Sequence, residues 1–112
     1  MEHIQKGIAG EHKACIFLET LGYQIIQRNY RAGKGEIDIV AQTEDCLCFV
    51  EVKYRKNNAF GFPEVFVTKK KMNKIMETAE AYVLQHDWHG RIRFDVVAIT
   101  GNEEPMHMID VT

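Results

Sequence analysis

The chain has 112 residues, 46% of them hydrophobic, which suits one domain with one modest core and leaves no room for two. A formal net charge of -2 does not advertise a nucleic-acid binder, and no apolar run approaches the roughly 20 residues of a membrane span. The polar start MEHIQKG does not read as a signal peptide, and three cysteines, an odd number, argue against a disulfide framework, so a cytoplasmic protein is expected.

From His3 to Leu21 the apolar residues Ile4, Ile8, Cys15 and Leu18, followed by Gly22, predict an amphipathic helix with its C-terminal cap. Glu11 interrupts that apolar face and points toward whatever the helix packs on, unless it is an ordinary glutamate at the margin of the stripe. Tyr23 to Tyr30 predicts a strand carrying Ile25 and Ile26, and Gly33, Lys34 and Gly35 a flexible turn.

Gly35 to Lys53, GEIDIVAQTEDCLCFVEVK, predicts a β-hairpin broken at Thr43, Glu44 and Asp45. Ile37, Ile39 and Ala41 are expected on one face of its first strand, with the acids Glu36 and Asp38 on the other. With Gln42 opposite Leu47, Asp38 falls opposite Glu51 and Glu36 opposite Lys53, at a Cβ separation of about 5 Å. Two carboxylates so close repel, and a hard cation such as Mg²⁺ is the usual remedy. Lys53, on the same face as Glu51, would then stand beside the water that the ion activates and stabilise charge developing on a phosphate. The alternative is a different register, in which Glu36, Asp38, Glu51 and Lys53 form surface ion pairs. Cys46 and Cys48 read as core, because one C-x-C pair is a poor zinc site.

Tyr54 to Pro63 predicts a polar loop beside this face, and Thr68 the cap of a helix to about Gln85 with Met72, Ile75, Met76, Ala79, Tyr82 and Val83 as its apolar stripe. His86 to Gly90 breaks that helix, with His86 and His89 read as a surface pair. Arg91 to Thr100 predicts a buried strand, in which Asp95 pairs with Arg93, and His107 to Val111 a last edge strand. Ten of the fourteen basic residues lie between Arg28 and Lys74, against six acids. This asymmetry fits one basic face for a polyanion, with Arg31, Lys34, Arg55, Lys69, Lys70, Lys71 and Lys74 as candidate phosphate contacts. The lysine run is otherwise a solvated helix face.

Asp38, twelve intervening residues, then Glu51, Val52 and Lys53 resembles the bipartite D…ExK signature of restriction-endonuclease-like nucleases. GEHKACIFLETLGYQIIQRNYR, GEIDIVA, FVEVKYR, GFPEVFVTKKKMNKI, AEAY and RFDVVAI, in this order, resemble the YraN-like family of small bacterial proteins, which are similar to archaeal Holliday-junction resolvases. The resemblance implies an α/β fold with a central mixed β-sheet flanked by helices. It also implies an Mg²⁺- or Mn²⁺-dependent nuclease acting on DNA, with branched DNA as one substrate and a homodimer left open. Asp38, Glu51, Lys53 and Glu11 would be catalytic, and Asp38, Glu51 and Glu11 the metal ligands. Related nucleases carry a Gln four residues before the Tyr of the second helix, where this chain has Thr78 before Tyr82. A nucleic-acid binding or interaction module that keeps the fold without turnover is the second class of function.

Overall fold

The computed structural model describes residues 2–55, 68–101 and 103–112, with described side chains from Ala9 onward and excluding Arg55. The expected apolar contacts of Ile4 and Ile8, and the loop over residues 56–63, lie outside what is described. Helix α1 (Glu2–Thr20) leads into β1 (Gln24–Ala32), β2 (Gly35–Thr43) and β3 (Cys46–Arg55), then α2 (Lys69–Gln85), β4 (Arg91–Thr100) and β5 (Met106–Met108). Gly22, at φ 94°, ends α1 as expected: its N–H bonds the Glu19 carbonyl, and the Tyr23 N–H bonds that of Leu18. Thr68 caps α2, its hydroxyl accepting from the Lys71 N–H at 3.1 Å.

The strands form one mixed sheet in the order β1-β2-β3-β4-β5, antiparallel except for the parallel pair β3 and β4. A parallel pair needs a crossover, and the chain between β3 and β4 provides it with α2. Strand β3 shows how the sheet serves both helices. Cys46, Cys48 and Val50 turn to the layer holding Ala14, Cys15 and Leu18 of α1, while Leu47 and Phe49 meet Ile75, Ala79 and Tyr82 of α2. The cysteines are core, as expected, and burial pushes the Cys48 thiol up to about 12.

Strand β2 departs from the expected alternation. Ile39 and Ala41 face α1, but Ile37 joins the α2 layer with Val40. The cause lies across the ribbon, where Asn29 sits between the pairs Arg28–Ile39 and Tyr30–Ile37 with φ 54°, a left-handed conformation that regular pleating does not carry. The buried stripe of α2 also differs: Ile75, Thr78, Ala79 and Tyr82 are buried, whereas Met76, one residue round from Ile75, is 45% exposed.

Asp95 is buried on β4 and anchors the end of the chain. Its carboxylate accepts from Arg93 at 2.7 and 2.8 Å, approaches His107 Nε2 at 2.8 Å and accepts the Asp110 N–H at 3.0 Å. Burial alone would raise its pKa, but His107, Arg93 and the Asp110 amide prevail and hold it at about 2. The pairing with Arg93 is the expected one. The last strand is shorter than the predicted His107 to Val111, because Asp110 adopts φ 56° to deliver its amide to Asp95.

Gly35, at the start of β2, packs against Thr78 so closely that an added Cβ would collide with the Thr78 hydroxyl. Gly35→Ala should therefore cost about 1–3 kcal/mol in denaturant unfolding. Adding Thr78→Ala, which removes the obstructing oxygen, should recover part of that cost. A double variant as unstable as the sum of the singles would refute the contact.

Candidate functional site

The β2–β3 ladder runs from Thr43–Cys46 to Ile39–Val50, with Gln42 opposite Leu47 as expected. At the next position a side chain takes over: Asp38 Oδ2 accepts the Val52 N–H at 2.8 Å. Asp38 thus stands at the mouth of the hairpin, beside Glu51. Burial pushes its pKa up to about 7 against the stabilising Val52 N–H, and Glu51, Glu11 and Glu36 add to the rise.

Glu51 projects on the α2 side, with its side chain 14% exposed. Two ammonium groups reach its Oε1, Lys71 at 2.7 Å and Lys53 at 3.7 Å. Glu11 arrives from α1 on the opposite side, close enough to raise Asp38, and its Oε1 is buried with no hydrogen-bond partner. Glu36 is exposed and pairs with Arg31 at 3.7 Å across β1 and β2. Lys34, Lys71 and Lys74 join Asp38 and Glu51 in walling a groove of about 240 Å³. Lys70 lines the hollow next to it with the same two α2 lysines, and Lys69 is exposed on the first turn of α2. The Arg55 side chain lies outside the described residues.

The sequence-predicted acids are therefore brought together from three elements, α1, β2 and β3. Their chemistry fits a hard divalent cation: carboxylate oxygens, one of them orphaned and buried, and a site short of positive charge. Their arrangement is not a closed ligand set, since among the described residues no three His, Cys, Asp or Glu side chains are grouped to hold an ion. Glu51 is turned to its lysines instead.

Two other pairs singled out in the sequence lie away from the acids. His86 is exposed and stacks on Tyr82 at 3.9 Å, while His89 pairs with Asp87 at 2.9 Å on the surface, as expected of surface histidines. Tyr82 is buried among Tyr30 and Phe49, and Thr78 is committed to Gly35 and the Lys74 carbonyl. What sequence reasoning missed is the contact of Lys71 with Glu51. A topological signal existed, because a crossover helix starts near the carboxyl end of the strand it follows, where Glu51 and Lys53 lie.

No helix of the described residues is long and apolar enough to cross a membrane. A profile described as "Uncharacterised protein family UPF0102" matches residues 10–99, a span that includes all four of Glu11, Asp38, Glu51 and Lys53. A UPF0102 protein of Cytophaga hutchinsonii is 68% identical over 112 residues, covering 100% of this chain and 99% of its own. Another from Sulfurihydrogenibium sp. is 45% identical over 104 residues, covering 92% and 90%, and one from Phocaeicola vulgatus 40% identical over 104 residues, covering 93% and 86%.

Burial of Asp38 also ties stability to pH. Its folded-state pKa of about 7 exceeds the usual 3.8, so folding favours the proton, and stability falls as the pH rises from 3.8 to 7. Asp38→Asn removes the charge while keeping an acceptor for Val52. In chelator, its melting temperature should exceed the parent's at pH 8, and the difference should shrink as the pH is lowered to 5. A difference independent of pH would show that Asp38 is not held above its usual range.

Proposed function

The chain belongs to the uncharacterised protein family UPF0102, and for this member of it we propose a divalent-metal-dependent nuclease of restriction-endonuclease-like fold that hydrolyses phosphodiester bonds of DNA. The observation that carries this reading is Asp38 and Glu51 at the open end of one hairpin, with Lys53 at 3.7 Å from Glu51 and a lysine-lined groove over them. The mixed sheet with a helix on each face is consistent with the fold assignment.

Asp38 and Glu51 would hold Mg²⁺ or Mn²⁺, with Glu11 supplying its orphaned oxygen. The ion, when bound, supplies Lewis-acid stabilisation of the phosphoryl group under attack. Lys53 is fixed on β3 with its side chain 17% exposed, and its ammonium faces the phosphate as negative charge develops there. Asp38 must be deprotonated to act as a ligand, which sets a requirement for pH near or above 7. Lys34, Lys70 and Lys74 grip backbone phosphates without reading bases. The observation favouring the second reading, a DNA-binding module without turnover, is that Glu51 already has two ammonium partners.

Incubation with labelled duplex, flap and four-way junction DNA, in Mg²⁺, Mn²⁺ or EDTA, separates the two. The nuclease reading expects cleavage of at least one of these DNAs that EDTA and Asp38→Asn abolish. Lys53→Ala should slow it by about 100-fold while DNA affinity stays close to the parent's. Binding of all three DNAs with no cleavage in either metal would leave the binding module.

The grip of the lysines has its own signature. Replacing Lys69, Lys70 and Lys74 with alanine should weaken binding equally for unrelated duplexes and make the salt dependence shallower, by about 0.9 in the log-log slope for each phosphate left unneutralised. An unchanged slope would place the DNA elsewhere on the molecule.

A further inference from the structure

We infer that Lys71 is an exchangeable counter-ion of Glu51, which it neutralises until a divalent cation displaces it and then releases toward a phosphate. This inference rests on the metal-dependent reading above.

The two ammonium groups on Glu51 are not equivalent. Lys53 is carried by the same strand, two residues away, and its side chain is 17% exposed. Lys71 comes from the first turn of α2, 20 positions along the chain, makes the shorter contact at 2.7 Å, and has a side chain 45% exposed. It therefore reaches a nearly buried carboxylate with a flexible arm whose stem lies in solvent. Such an ammonium recovers its hydration when it leaves, so the contact is cheap to break. Lys53 has less water to return to.

Charge gives the reason for the contact. Asp38, Glu51 and Glu11 crowd one site, and Asp38 lies near enough to Lys71 to favour its charge together with Glu51. A cation entering among these carboxylates takes over the role of the ammonium and repels it at short range. A destination is at hand, because Lys71 lines both the carboxylate groove and the adjoining hollow of about 500 Å³ that it shares with Lys70 and Lys74. The displaced ammonium joins the lysines that face DNA. Metal and DNA then help each other, since each removes Lys71 from competition with the other, and the coupling is reciprocal.

Calorimetric titration of Mn²⁺ into the parent, Lys71→Gln and Lys70→Gln tests the exchange. Lys71 is exposed and its capped backbone N–H survives the substitution, so the variant keeps the fold, which circular dichroism verifies. Lys71→Gln should bind Mn²⁺ about tenfold more tightly than the parent, within the roughly 5–150-fold usual for coupled sites. Lys70→Gln makes the same charge change without touching Glu51 and should gain less than about threefold. In a second arm, Ca²⁺ should tighten binding of a fluorescent duplex by the parent at least about fivefold over EDTA, and that gain should largely vanish in Lys71→Gln.

Equal or weaker Mn²⁺ binding by Lys71→Gln, or an equal gain in Lys70→Gln, overturns the exchange and leaves the nuclease reading standing. Tighter binding by Lys71→Gln, in a parent that cleaves no DNA, upholds the exchange and removes the nuclease reading. Absence of Mn²⁺ binding by every protein removes both.

Discussion

The contact between the Val52 N–H and the Asp38 carboxylate is the point on which the architecture of the site turns. Up to Ile39–Val50, the two strands satisfy their amides through each other's backbone. Beyond it the ribbon turns over at Asn29, and a side chain supplies the acceptor that buried backbone requires. A carboxylate is thereby held where water is scarce and other carboxylates are near. The cost of that burial appears as a strongly raised proton affinity, the physical condition for a cation site.

Around this point the two helical layers contribute opposite charges. Helix α1 brings Glu11, with an oxygen that finds no partner, while α2 brings Lys71 onto Glu51 and lines the groove with Lys74. The crossover between β3 and β4 makes the second contribution possible, because it starts α2 over the carboxyl end of β3. Gly35 sets how closely α2 can lie on β2, since any side chain there would strike Thr78. Packing and electrostatics are thus tied to one another: the same helix seats a core stripe and a row of ammonium groups.

The second buried carboxylate, Asp95, has the opposite environment and role. Arg93, His107 and the Asp110 amide all donate to it, so burial does not raise its pKa, and the group holds β5 and the chain end to β4. Tyr23 extends this arrangement by accepting from Arg93 at 2.7 Å, which ties the start of β1 to β4. A carboxylate with every lone pair answered is structural. One left short of donors among other acids is a site.

Local pattern was enough to identify the elements, since periodicity, the Gly22 and Thr68 caps and the polar break at Thr43 to Asp45 act over a few residues. The same range covers the Gln42–Leu47 register and the pairing of Asp95 with Arg93, two residues apart on one strand face. The family too is legible in the chain, because its motifs span nearly the whole length in a fixed order. Where the sequence misled, at the face of Ile37, the burial of Met76 and the length of the last strand, a single backbone angle or helix rotation intervened. The tertiary structure alone decided that Asp38 would trade a backbone ladder for a side-chain contact and that Lys71 would reach Glu51. Both depend on where distant segments come to rest in space, and local periodicity carries no information about distance across a fold.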